Sequence, residues 1–197
     1  MILIAGEGFS GTTMLLYFLS ELLDKPYKSE EFLKTDRTDF PEIIKHNGIS
    51  FSLERRILEN KWKVERLYWI TLGIEAAVDK RLEMERRGSV RTTNLWKLTG
   101  ARRETWEKLS RREKRYILIR KLRAGENHTR TVCENLKIPF IYVDYYKFCT
   151  DVKYAHMTLN LKVKFSRFKE YWESKIDSTK VRKYAENRNS NPDGGRR

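Results

Sequence analysis

The chain has 197 residues, the length of one domain or of one domain with a helical elaboration. It is 40% hydrophobic, ample for a packed core, and its 41 Lys and Arg against 27 Asp and Glu give a net charge of +14, which favours polyanionic partners. Two cysteines, Cys133 and Cys149, argue against a disulfide framework or a paired zinc motif, and no apolar stretch reaches the roughly 18 residues of a membrane span, so a reducing, cytoplasmic location is the expectation.

Residues 1–5 form an apolar run that reads as a buried strand. Gly6-Glu7-Gly8-Phe9-Ser10-Gly11-Thr12-Thr13 follows, and residues 11–23 read as a helix that is apolar almost all round. Strand, glycine-rich loop and helix, with the spacing G-x-x-x-x-G-x-[ST], is the pattern of a phosphate-binding loop. Glycines let successive backbone N–H groups converge on an anion, and the positive end of the helix adds to the field. Thr12 stands where the nucleotide-hydrolysing version has lysine, so the loop reads as one that holds phosphate without standard ATPase chemistry. The competing reading is a tight turn in which Thr12 or Thr13 caps the helix.

Residues 24–52 are polar and turn-rich, with Pro26 and Pro41. From about 53 to 87 the pattern turns helical: Val64, Leu67, Tyr68, Thr71, Ile74, Val78 and Leu82 share one face at a period near 3.6, and Gly88 ends the run. Residues 94–98 read as a strand and 103–109 as a helix. Residues 116–120, rich in β-branched and aromatic side chains, read as another strand. Residues 126–136 read as a helix broken by Lys137-Ile138-Pro139, and 140–144 as the fourth strand. Residues 165–186 read as helical and 187–197 as a disordered polar tail. The alternation predicts an α/β fold with a mainly parallel sheet covered on both faces, a single domain over 1–186 with a helical insertion at about 53–87.

The order of these segments resembles the P-loop sulfotransferases. Ile2–Leu16 is similar to that family's 5′-phosphosulfate loop, G-x-x-[RK]-S-G-T-[ST]-x-L. Leu95–Thr99 resembles its strand bearing a lysine before Thr or Asp. Tyr116–Arg123 resembles the strand and R-[DN]-P-R turn that meets a 3′-phosphate, and Phe140–Tyr146 a later strand ending near Tyr-Glu-Asp. The resemblance spans about residues 1–150. It implies a three-layer fold and in-line sulfuryl transfer from 3′-phosphoadenosine 5′-phosphosulfate (PAPS) to a hydroxyl or amine, with PAP as product and no metal. It places Gly6, Gly8, Phe9, Ser10, Gly11, Thr12 and Thr13 around the 5′-phosphate and sulfate. It places Arg120, Arg123 and His128 at the 3′-phosphate, His128 standing where the family has a serine. The chain departs from the pattern at Phe9, where the family has Arg or Lys, and at Arg120–Arg123, which lacks Asp-Pro.

Two residues are candidates for the chemistry. Lys97, inside an otherwise apolar segment, would neutralise charge on the leaving phosphate, or else would guard an edge strand. Glu31, followed by Phe32, resembles the Glu-Pro-x-Phe-Phe segment that supplies the base in glycan-type members, or else is an acidic surface turn. His46 is a spare base. Arg120 also reads as one solvated arginine among many. One rival is a P-loop nucleotide or small-molecule kinase, with Asp144 as the strand-end magnesium ligand. The other is a decayed transferase whose basic surface holds nucleic acid or an anionic glycan, although no nucleic-acid-reading motif is present. No pattern in 24–92 or 150–185 identifies an acceptor.

Overall fold

Ile2–Gly6 (β1) is buried at every residue, which is why it reads as an unbroken apolar run and not as an alternation. It lies at the centre of a five-stranded sheet of order β2-β3-β1-β4-β5. The computed structural model describes residues 1–7, 11–29, 42–46, 53–59, 62–88 and 95–178. By contact the chain divides into two compact units, Met1–Tyr142 and Val143–Arg197.

In the first unit β1 is followed by α1 (Thr12–Leu23), β2 (Tyr27–Ser29), β3 (Ile43–Lys45), α2 (Leu53–Glu59) and β4 (Arg66–Thr71). Then come α3 (Ile74–Arg86), α4 (Leu95–Thr99), α5 (Arg103–Lys108) and α6 (Arg111–Asn135), before β5 (Phe140–Asp144). β1 pairs in parallel with β3, Leu3 facing Ile44, and with β4, Leu3 facing Leu67; β2 pairs in parallel with β3. Each parallel crossover therefore passes through a helix or a longer connection.

The pleat sends alternate side chains to opposite faces. Leu3 and Ala5 of β1, Ile44 of β3, and Leu67 and Trp69 of β4 form one core with Leu53 and Ile57 of α2 and Val132 and Cys133 of α6. Phe140 stacks on Trp69 there, the ring centroids 6.0 Å apart. α1 packs against β1, β2 and β3 and takes no part in that core, so it covers the opposite face. A second core joins α3, α4, α5 and α6 through Val78, Leu82, Leu95, Trp106, Leu118 and Leu122.

The α/β class, the parallel sheet, β1, α1 and β5 agree with the sequence reading, and three assignments do not. The helical insertion over 53–87 is interrupted by β4, whose Leu67–Thr71 are all buried. Burial on both faces makes β4 a continuous apolar run, and such a run mimics helical periodicity when read with its neighbours. The strand at 94–98 is helix α4, because Leu95 and Leu98 both turn toward the α3–α6 core. The strand at 116–120 lies within the 25-residue helix α6, where Leu118 and Leu122, one turn apart, enter the same core. The turn-rich region 24–52 contributes two short strands, β2 and β3.

The second unit contains α7 (Tyr145–Thr150), α8 (Val152–Leu159) and α9 (Phe165–Lys175). Asp144 caps α7 by accepting from Lys147 N at 2.9 Å, and Asp151 caps α8 by accepting from the N–H groups of Lys153 and Tyr154. Trp172 of α9 donates its indole N–H to the carbonyl of Phe148. α9 ends at Lys175, short of the helix expected to 186; residues 179–197 lie outside the described residues.

Candidate functional site

The strand order reverses at β1. The chain leaves β1 through α1 for β2 and β3 on one side, then crosses through α2 to β4 on the other. Open parallel sheets bind ligands outside the carboxyl ends of the strands at such a reversal. At that end lie Gly6, the last residue of β1, and Glu7 after it, with Lys45 of β3, Thr71 of β4, and the first turn of α1.

Gly11 is the N-cap of α1, with φ 90° and ψ 13°. That left-handed conformation suits glycine and costs other residues roughly 1–2 kcal/mol. Gly11 has no side chain with which to cap α1, and Thr12 and Thr13 lie inside its first turn, so the capping reading of those threonines is not realised. The Lys45 ammonium approaches Thr13, its Nζ 3.4 Å from Oγ1. A cation, a hydroxyl and the start of a helix therefore stand side by side at the end of the central strands.

Behind this edge, on the α6 side of the sheet, is a buried polar cluster. Glu7 is 0% exposed. Its Oε1 accepts a hydrogen bond from Thr71, and Thr71 Oγ1 in turn accepts from the Gly73 N–H at 2.8 Å. The backbone carbonyl of Glu7 accepts from the guanidinium of Arg81, a residue of α3 that is 4% exposed. On α6, Glu126 accepts from the Tyr142 hydroxyl at 2.9 Å and from Arg130 at 3.2 Å.

Burial raises the Glu7 carboxyl above the ordinary range; the Thr71 hydroxyl and the Leu72 backbone oppose the rise, the nearby Glu126 adds to it, and Arg81 opposes it weakly. Burial lowers Arg81 to about 10, with the Glu7 charge opposing. Tyr142 holds its proton more firmly than a free phenol, first through burial and then through its bond to Glu126. Thr71 of β4 and Arg81 of α3 thus hold Glu7, the residue that follows β1.

The residues picked out from sequence separate. Gly6, Gly11, Thr12 and Thr13 come together at this edge. Gly8, Phe9, Ser10 and Glu31 lie outside the described residues. Lys97 is an exposed residue of α4, its Nζ 5.1 Å from the Trp96 ring centroid, and it does not lie in a strand. Arg120, Arg123 and His128 are on α6; Arg120 ends no strand, and both arginines are exposed. His46 is buried at the end of β3. Asp144 spends its carboxylate on capping α7.

The sequence reading missed Lys45, Thr71, Arg81, Glu126 and Tyr142. Glu7 was legible in part: a carboxylate set between two glycines after an apolar strand stands where such sheets place functional groups. Among the described residues no group of three or more His, Cys, Asp or Glu is arranged to hold a metal ion. No helix among them is long and apolar enough to cross a membrane. No protein family, curated protein or solved structure matches the chain.

Proposed function

We propose that the first unit binds the phosphate end of a nucleotide at the Gly6–Thr13 segment and is a group transferase, the transferred group being the sulfuryl of PAPS. The observation that supports this best is the left-handed Gly11 at the start of α1, the helix that follows the central strand at the reversal of strand order. In this reading the first-turn N–H groups of α1 hold the 5′-phosphate, and Thr13 adds a hydroxyl.

Lys45 supplies the positive charge that Phe9 does not, replacing Lys97 in that role. A fixed cation at the departing phosphate stabilises charge that develops during transfer. Glu7, Thr71 and Arg81 hold the start of the loop and are positioning residues. Thr71-Leu72-Gly73, which ends β4, offers no cation to a 3′-phosphate. Support for PAPS over other nucleotides therefore rests on the Gly6–Thr13 motif. The kinase reading has less support, since position 12 is threonine and the Asp144 carboxylate is engaged.

Calorimetric titration with PAP, AMP and ATP–Mg²⁺ tests the proposal. Magnesium-independent binding of PAP in preference to AMP is expected. Preference for ATP–Mg²⁺ would move the assignment to a kinase, and binding of none would end the phosphate-loop reading.

A further inference from the structure

Helix α6 turns Leu118, Leu122, Glu126, Thr129 and Cys133 inward, and that placement decides which side faces solvent. Arg112, Tyr116, Arg120 and Arg123 are all exposed, Tyr116 by 61%. At 3.6 residues per turn these four fall within about 80° of the helix circumference, and at 1.5 Å per residue they span about 16 Å. Asn127, also exposed, continues the stripe.

Other basic residues of α6 are engaged: Lys114 with Glu85, Arg115 with Glu75 and Asp79, and Arg130 with Glu126. Arg112, Arg120 and Arg123 have no carboxylate within ion-pair distance among the described residues. The guanidinium carbon of Arg120 lies 5.7 Å from the centroid of the Tyr116 ring. The stripe is thus a row of uncompensated guanidinium groups with an exposed aromatic ring set into it.

We propose that this face of α6 binds single-stranded nucleic acid, its arginines on successive phosphates and the Tyr116 ring stacked on a base. Guanidinium groups suit phosphate oxygens, and at about 3.4 Å per nucleotide the stripe covers roughly four to five nucleotides of one strand. The tyrosine selects this partner over an anionic glycan, which has no planar base to stack. The net charge of +14 draws a polyanion to the chain, and the free arginines give it a landing place. The surface is separate from the nucleotide edge, so it goes beyond the transferase reading and stands or falls independently of it.

The test is fluorescence anisotropy of the full chain with a labelled oligo(dT) of about 15 nucleotides across a salt series. Replacing Arg112, Arg120 and Arg123 together by glutamine, which retains helix propensity, is expected to weaken binding about tenfold or more and to reduce the salt slope by about 2. Tyr116→Ala is expected to weaken the oligonucleotide about tenfold and to leave a heparin fragment unaffected.

Lys162→Gln, Lys164→Gln and Arg167→Gln together remove the same charge from exposed positions of the second unit and are expected to cost less than about threefold. Equal losses from the two triple variants would overturn the proposal, as would absence of oligonucleotide binding. So would heparin binding as tight as oligo(dT) with both insensitive to Tyr116→Ala. Circular dichroism checks the fold; if the α6 triple variant unfolds, Arg120→Gln and Tyr116→Ala carry the comparison.

Discussion

Thr71 donates a hydrogen bond of 2.5 Å to Oε1 of Glu7, joining the end of β4 to the residue that follows β1. The bond is buried, and Thr71 Oγ1 at the same time accepts from Gly73 N–H. One hydroxyl thereby sets the exit of two adjacent central strands. The loop that leaves β1 starts from a residue held by side chain and backbone together, since Arg81 grips the Glu7 carbonyl.

Thr71→Val keeps the shape and removes the hydroxyl. It leaves a buried carboxyl oxygen and the Gly73 N–H without that partner, an expected loss of about 1–3 kcal/mol of folding stability. Thr71→Ser should retain most of it. Urea unfolding of the three proteins measures the difference, and a loss in Ser equal to that in Val would remove the hydroxyl from the explanation.

The raised Glu7 carboxyl has a pH signature. The folded state holds this proton more tightly than the unfolded chain, whose glutamate titrates near its ordinary value of 4.5. Its contribution to stability is full below that value and is lost as pH rises through the folded-state value. Glu7→Gln cannot ionise and keeps an acceptor for Thr71. Its melting temperature relative to the parent should climb as pH rises above the ordinary glutamate range. A difference that stays flat with pH would mean that Glu7 is not perturbed by its burial.

Gly11→Val places a β-branched side chain at φ 90° and crowds the turn where an anion would rest. Loss of PAP binding by calorimetry is expected, with a melting temperature lowered by the roughly 1–2 kcal/mol of backbone strain. Unchanged affinity would sink the assignment of the Gly6–Thr13 turn to phosphate.

Lys45→Ala and Arg120→Ala separate the two surfaces. Lys45→Ala should weaken PAP about tenfold, the scale of one charge-assisted contact. Arg120→Ala should leave the ratio of PAP to AMP affinity unchanged, because Arg120 lies on the exposed side of α6. Selective loss of PAP binding in the Arg120 variant would return that residue to the 3′-phosphate.

The two thiols are free and buried. Burial pushes Cys133 up to about 11 and Cys149 up to about 12, so few thiolates exist at neutral pH. Ellman's reagent should react with neither in the native protein and with both after denaturation. Rapid reaction in native buffer would contradict their burial.

Local chemistry by itself determined the start of the chain. An apolar run that breaks into glycines and resumes as an apolar helix admits little besides β1 followed by α1, and Gly11 falls where a left-handed residue is found. Pro139 and the aromatic, β-branched run after it likewise marked the end of α6 and the start of β5. Tertiary structure decided between Arg66–Thr71 and Tyr116–Arg120. Both are short apolar runs with strand-like composition, and intrinsic preference at that length is too weak to choose.

The first run is buried on both faces between β1 and β5 and becomes β4. The second is buried on one stripe against α3 and stays helical, helped by the capping box of Ser110 and Glu113, the one local signal that pointed the right way. The candidate site divides in the same manner. Its backbone half, the left-handed Gly11 at the start of α1, follows from local sequence. Its side-chain half sets Lys45 beside Thr13 and, separately, joins Glu7 to Thr71 and Arg81. Their proximity depends on strand order and helix placement, which no spacing along the chain encodes.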